Sequence, residues 1–278
     1  MPVSGIRTLL LAVLLGAAAL LSGQMTATAD GEITVRVDDH VNDDGFPTIT
    51  VVVTADEAGR PLGSLLPSEI QIAEGPTGGA TAARVTDVTP ATGTIPMALV
   101  ITIDVSGSMA GPAIDQARAF AASLVNSLAP DDMAALVTFS DSVQVVQPFT
   151  SDKNVLLGAI GTIVARGNTA LYEAVARSAE LSTQEVPRRA VVIISDGENF
   201  GVPPTATRDG SLEAAANAST FYVVGVGNLV DRPYLQSLAD LTGGRYFEAP
   251  APTELPGIYS SIEELLRAQY AVTFESAA

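Results

Sequence analysis

Three short segments concentrate side-chain oxygen in a chain that has few other reactive groups. An apolar run ends in Ile103-Asp104-Val105-Ser106-Gly107-Ser108, which sets one carboxylate and two hydroxyls on a tight loop where Gly107 gives backbone freedom. A second run, Ala190 to Ile194, ends in Ser195-Asp196-Gly197 and delivers another carboxylate. Between them lies Gly167-Asn168-Thr169-Ala170-Leu171-Tyr172-Glu173-Ala174, with Thr169 in a loop just ahead of a helix. The 278 residues include no cysteine, one histidine (His40) and one lysine (Lys153). Thiol nucleophiles, disulfides and thiolate metal sites are therefore excluded. A Ser-His-Asp triad would need His40, which sits in an Asp-rich stretch, and no G-x-S-x-G occurs. Zinc favours nitrogen and sulfur, so a metal in this chain is expected to be a hard ion bound by oxygen.

The elements that must position these groups follow from hydropathy patterning. Residues 97–103 are continuously apolar, as in a strand buried on both faces of a parallel sheet. Pro112 opens a helix whose apolar positions Ile114, Ala117, Ala121, Leu124 and Leu128 step by three and four. Strands are expected at 133–139, 143–146, 190–195 and 220–226, and helices near 153–165, 170–182, 232–241 and 253–267. Apolar strands alternating with amphipathic helices specify an α/β domain, doubly wound, with a mostly parallel sheet and helices on both faces. In such sheets ligands collect at the carboxyl ends of the strands, where Asp104 and Asp196 stand.

The three motifs, in this order and on these elements, resemble the metal-ion-dependent adhesion site of von Willebrand factor type A and integrin inserted domains. The resemblance covers about residues 97–267. It implies a Rossmann-like fold and one divalent cation, Mg2+ with Mn2+ or Ca2+ as alternatives. Ser106, Ser108 and Thr169 would coordinate it through hydroxyls, Thr169 depending on the bound state. Asp104 and Asp196 would act largely through bridging waters. Magnesium takes six oxygens at about 2.0–2.1 Å and keeps some water, which suits uncharged hydroxyls and water-bridged carboxylates. An ion so held keeps much of its charge, and its open position should attract a carboxylate from a partner's Asp or Glu. Taken singly, each of the five is an ordinary capping or turn residue. Tyr172 and Glu173 are candidates for the rim.

The amino end reads as an address. Arg7, the apolar run Leu9–Leu21 and the ending Ala27-Thr28-Ala29 form a secretory signal peptide with cleavage expected before Asp30. The run is shorter than the roughly 18–20 residues that span a bilayer. Gln24 follows Leu21-Ser22-Gly23 where a lipoprotein would have cysteine. The protein is thus expected to be exported, whether extracellular, at the cell surface or periplasmic, with no stable membrane span after cleavage. From Glu32 to about Val88 the chain is β-rich, with alternation at 33–37 and a β-branched run at 48–53. Turns are expected at Asp38–Gly45, Glu57–Pro61 and Gly75–Gly79. This segment is read as a small immunoglobulin-like sandwich. The expected partition is 1–29 leader, 30–95 β-rich domain and linker, 96–268 α/β domain, and 269–278 a terminal strand that either starts further β structure or completes the β-rich sandwich.

Hydrophobic residues make up 47% and charged residues 16%, consistent with a globular chain. The formal charge is −17, which argues against nucleic acid and anionic membranes as partners. The chain is read as a non-enzymatic binding module. A phosphoryl hydrolase of the haloacid dehalogenase kind would want D-x-D-x-T, whereas Ser106 replaces the second aspartate. The remaining alternative is a structural envelope component with a vestigial site.

Overall fold

The computed structural model describes residues 9–13, 26–29, 33–42, 46–57, 60–74, 81–183, 186, 188–201 and 206–276. They divide into two units, Met1–Ile95 with Glu264–Ala278, and Pro96–Glu263.

The first unit opens with strands β1 (Leu9–Val13), β2 (Thr26–Ala29), β3 (Ile33–Asn42), β4 (Thr48–Glu57), β5 (Arg60–Pro61), β6 (Ile70–Glu74) and β7 (Thr81–Pro90). The alternating and β-branched segments become β3 and β4, paired antiparallel. The Asp-rich stretch differs from the turn expected there, because β3 continues through Asp38 and His40 to Asn42. Its pairing shifts register between Val37 and Asp39 and between His40 and Asn42, and such bulges let a turn-prone sequence stay alongside a strongly β-forming partner. The expected turn at Gly75–Gly79 and the cleavage position before Asp30 lie outside the described residues.

The second unit carries β8 (Met97–Asp104), α1 (Pro112–Ser127), β9 (Met133–Phe139), β10 (Val143–Thr150), α2 (Lys153–Gly161), α3 (Leu171–Ser182), β11 (Arg188–Ser195), α4 (Arg208–Ala216), β12 (Thr220–Val226), α5 (Arg232–Leu241) and β13 (Arg245–Ala249). Helix α6 (Leu255–Arg267) closes it and runs into the first unit. The sheet order is β10-β9-β8-β11-β12-β13. Only the edge strand β10 is antiparallel to its neighbour. Every residue of β8 is buried, which explains its unbroken apolar run. Val100, Val191, Ile193, Phe221 and Val223 share a core with Leu171, Val175, Leu212, Tyr234 and Leu238 of α3, α4 and α5. The alternate residues Leu99, Ile101 and Ile103 are equally buried, as expected when both faces are covered. Among the described residues no helix is long and apolar enough to cross a membrane.

After α6 the chain returns as β14 (Gln269–Glu275) and enters the first unit between β4 and β7, antiparallel to both. The ladder runs β1-β6-β7-β14-β4-β3-β2, with β5 beside β4. The two-sheet sandwich expected from sequence takes a different form here: β7 pairs with β6 through residues 81–83 and with β14 through residues 84–90, so one ladder is continuous. A register shift opposite Thr273 and Phe274 marks the bulge in β7. Ile49, Val51 and Val53 of β4, Tyr270, Val272 and Phe274 of β14, and Ile70 and Ile72 of β6 make the core. Because β14 is the central element, this β unit is discontinuous in sequence and the α/β unit is inserted into it.

Candidate metal centre

Strand β8 delivers Asp104 to its carboxyl end with the side chain fully buried. The chain then turns through a short 3-10 segment, Gly107–Met109, before α1, which brings Ser106 and Ser108 over the strand end. Strand β11 is the immediate parallel neighbour of β8, so Asp196 leaves the same edge of the sheet one strand away. The two strand ends are linked by a chain of hydrogen bonds. Ser195 Oγ donates to Asp104 Oδ2 at 2.6 Å and the Ser106 amide donates to Asp104 Oδ1 at 2.8 Å. Ser106 Oγ and Ser108 Oγ stand 3.0 Å apart, and Ser108 Oγ donates to Asp196 Oδ1 at 2.9 Å.

Thr169 joins from the loop ahead of α3. The Gly107 amide donates to the Gly167 carbonyl at 2.9 Å, which pins that loop against the β8 exit. Gly167 has φ +86°, and a Cβ on it would fall 2.5 Å from Asp141 Oδ2, so any other residue there is strained. Asp141 Oδ1 accepts from the Asn168 amide at 2.9 Å and from Asn168 Nδ2 at 2.8 Å. Thr169 itself is 6% exposed and packs beside Gly197, next to Asp196. Asp104, Ser106, Ser108, Thr169 and Asp196 are therefore gathered at one edge, from a buried carboxylate outward to an exposed Ser108.

Burial pushes the Asp104 carboxyl up to about 6, and the hydrogen bonds from Ser106 and Ser195 offset this only in part; the Asp196 charge adds to the rise. Burial raises Asp196 as well, against hydrogen bonds from Ser108 and Ser106. Among the described residues no arginine or lysine pairs with either carboxylate, and none is a leading cause of either shift. Two desolvated carboxylates with no protein cation paired to them make a site that a cation would stabilise. Among the described residues no three carboxylate, imidazole or thiol groups gather in one place, so hydroxyls would have to complete any cation's shell. The spacing suits that. Neighbouring vertices of an octahedron with metal–oxygen distances of about 2.0–2.1 Å lie about 2.8–3.0 Å apart, matching the separation of Ser106 Oγ from Ser108 Oγ.

Ser195 was not singled out from sequence, although it directly precedes Asp196; its role depends on β8 and β11 being neighbours. Asp141, which holds the Thr169 loop, likewise gave no local signal. Tyr172 is near the centre, its amide donating to Asn199 Oδ1 at 3.1 Å. Its ring meets Tyr234 edge-on at 4.8 Å between centroids.

Residues 99–198 match the family described as von Willebrand factor type A domain. It is 26% identical over 197 residues to inter alpha-trypsin inhibitor, heavy chain 4, of Mus musculus, covering 64% of this chain and 21% of that protein. The chain thus spans about a fifth of that relative's length. A solved von Willebrand factor type A protein from Catenulispora acidiphila has the same fold, with TM-score 0.56 and 15% identity over 87% of this chain and 52% of its own. The mussel byssus proximal thread matrix protein 1, solved with a zinc-occupied metal-ion-dependent adhesion motif, superposes with TM-score 0.56 and 20% identity over 66% of this chain and 49% of its own.

Proposed function

We propose that this chain is an exported, non-enzymatic binding module whose divalent cation, held by Asp104, Ser106, Ser108, Thr169 and Asp196, accepts an Asp or Glu side chain from a protein partner. The observation that carries this reading is the pair of desolvated carboxylates joined through Ser106 and Ser108, with no cationic side chain paired to them among the described residues. Ser106, Ser108 and Thr169 offer lone pairs, while hydroxyl protons such as that of Ser108 are directed to carboxylate oxygen. Asp104, fixed by Ser195 and the Ser106 amide, orients the inner side. A bound ion would supply a Lewis-acidic position facing solvent on the Ser108 side. Mg2+ is the favoured ion on donor type, with Mn2+ and Ca2+ as alternatives. The zinc-bearing relative motivates including Zn2+ in the comparison.

Phosphoryl hydrolysis is disfavoured by the fate of Lys153, whose Nζ donates to the carbonyls of Asn126 and Leu128 at 3.0 and 2.6 Å. Those carbonyls precede β9 and so lie toward the amino edge of the sheet, away from Asp104. The test is calorimetric titration of Mg2+, Mn2+, Ca2+ and Zn2+ into the protein and Asp104→Ala, together with affinity capture of extracellular proteins in Mg2+ and in chelator. Metal binding and capture lost together in the variant support the reading. Equal capture in chelator, or phosphate-ester turnover that depends on Asp104, overturns it.

A further inference from the structure

The site has an aromatic neighbour that the oxygen set does not use. Phe200 is 71% exposed, in a chain with only 5% aromatic residues. Its backbone is nevertheless held firmly against the candidate ligand Thr169, because each residue's amide donates to the other's carbonyl at 3.0 Å. The residues on either side are tied down too. Asn199 Oδ1 accepts from the Tyr172 amide, and the Gly201 carbonyl accepts from Asn168 Nδ2 at 3.3 Å. Gly201 has φ +72°, and a Cβ there would fall 2.5 Å from the Asn168 side chain. A flexible loop tip would explain an exposed ring without further meaning, but this main chain is bridged to the site at three successive residues while the ring contributes little to the core.

Charge narrows what such a ring can meet. Glu198 lies two residues from Asp196, and Asp141 braces the Thr169 loop. A second acidic residue on a partner would be repelled there, whereas an apolar side chain would lose water against Phe200. We infer that Phe200 is a specificity-determining residue of the metal centre, selecting an extended protein segment in which a single Asp or Glu stands next to an aromatic or large aliphatic side chain. The inference rests on the proposed metal-dependent binding of a carboxylate and adds the apolar half of the recognition.

A random heptapeptide phage library, panned on the protein in Mg2+ and released with chelator, tests it. The expected enrichment is for peptides with one acidic residue adjacent to Phe, Trp, Leu, Ile or Met. Such a peptide should bind Phe200→Ala roughly tenfold more weakly or worse, with Mg2+ affinity unchanged. Phe46→Ala, removing another exposed phenyl group, 61% exposed and in the other unit, should bind it as the parent does. Acidic peptides without an apolar neighbour, or equal binding to Phe200→Ala, would overturn the inference and leave the metal-dependent reading standing. Enrichment of the same peptides on Asp104→Ala would instead remove the reading beneath it.

Discussion

The Ser195 hydroxyl donates to Asp104 across the ends of two adjacent strands at 2.6 Å, so one candidate metal ligand is positioned by the residue directly preceding another. This contact makes the inner carboxylate of the site dependent on the register between β8 and β11, and it shields a charge that burial disfavours.

Asp104→Asn is expected to stabilise the metal-free protein while abolishing tight metal binding. The folded carboxyl titrates at about 6 against an ordinary 3.8. A raised acid contributes full stability below its unfolded value, and that contribution is lost as pH rises through about 6. The metal-free parent should therefore be less stable at pH 7 than near pH 4 at this site, by up to about 3 kcal/mol. Asparagine avoids that cost. Thermal unfolding in chelator across pH 4 to 8 checks both the sign and its absence in the variant.

Thr169→Ala should weaken retention of chelator-released peptides more than it weakens Mg2+ binding. The proposed role of this hydroxyl is to reach the ion chiefly when a partner is bound. A loss of about tenfold in peptide affinity, with a smaller change in metal affinity, is the expected pattern by calorimetry. Equal losses would assign Thr169 to the resting shell.

Gly167→Ala should cost about 1–3 kcal/mol and disorder the Thr169 loop, since alanine would combine a disfavoured positive φ with overlap on the Asp141 carboxylate. Chemical denaturation measures the first effect and reduced Mg2+ affinity the second.

Asp132→Ala should destabilise without touching metal affinity. Asp132 accepts from the amides of Met97 and Ala129 and lies 3.9 Å from the buried Arg188 guanidinium. These residues sit where β8, β9 and β11 begin, at the edge opposite the site. Removing one partner of such a buried pair costs about 3–5 kcal/mol. Denaturation and Mg2+ titration on the same sample separate the two.

Mass spectrometry of the protein recovered from the extracellular fraction is expected to show a chain that begins at or near Asp30; an intact Met1 would refute cleavage. Strands β1 and β2 occupy the two ends of the ladder, so their removal leaves β6-β7-β14-β4-β3 uninterrupted.

Much of the α/β unit was legible because its signals are local. An apolar run such as 97–103 and the Pro112 helix start need no distant partner to be read. Helix α4, nine residues with Gly210 in its first turn, and β13, a five-residue edge strand, carry too little periodicity to stand out. The five oxygen-bearing residues stand in recognisable motifs, and their gathering at one sheet edge follows from the neighbouring ends of β8 and β11. Ser195, Asp141 and Phe200 were not legible, because each acts through a segment remote in sequence. The same holds for β14: its strand character was readable, but its place between β4 and β7 is set by pairing across the whole chain.

That placement gives the β unit an unusual folding problem. Thr86 and Thr273 are joined by a hydrogen bond although 187 residues separate them, so in the language of hairpins the entire α/β unit is the loop between β7 and β14. Closing so long a loop in an unfolded chain costs conformational entropy that grows slowly with length, about 0.6 kcal/mol for each doubling. An insert that has already folded acts as a much shorter tether between its own ends. The Ala91 amide and Gln269 carbonyl meet at 2.8 Å where the chain leaves and returns. The central strand is thus synthesised after the other described strands of the sheet, and β4 and β7 must wait for it without a partner between them.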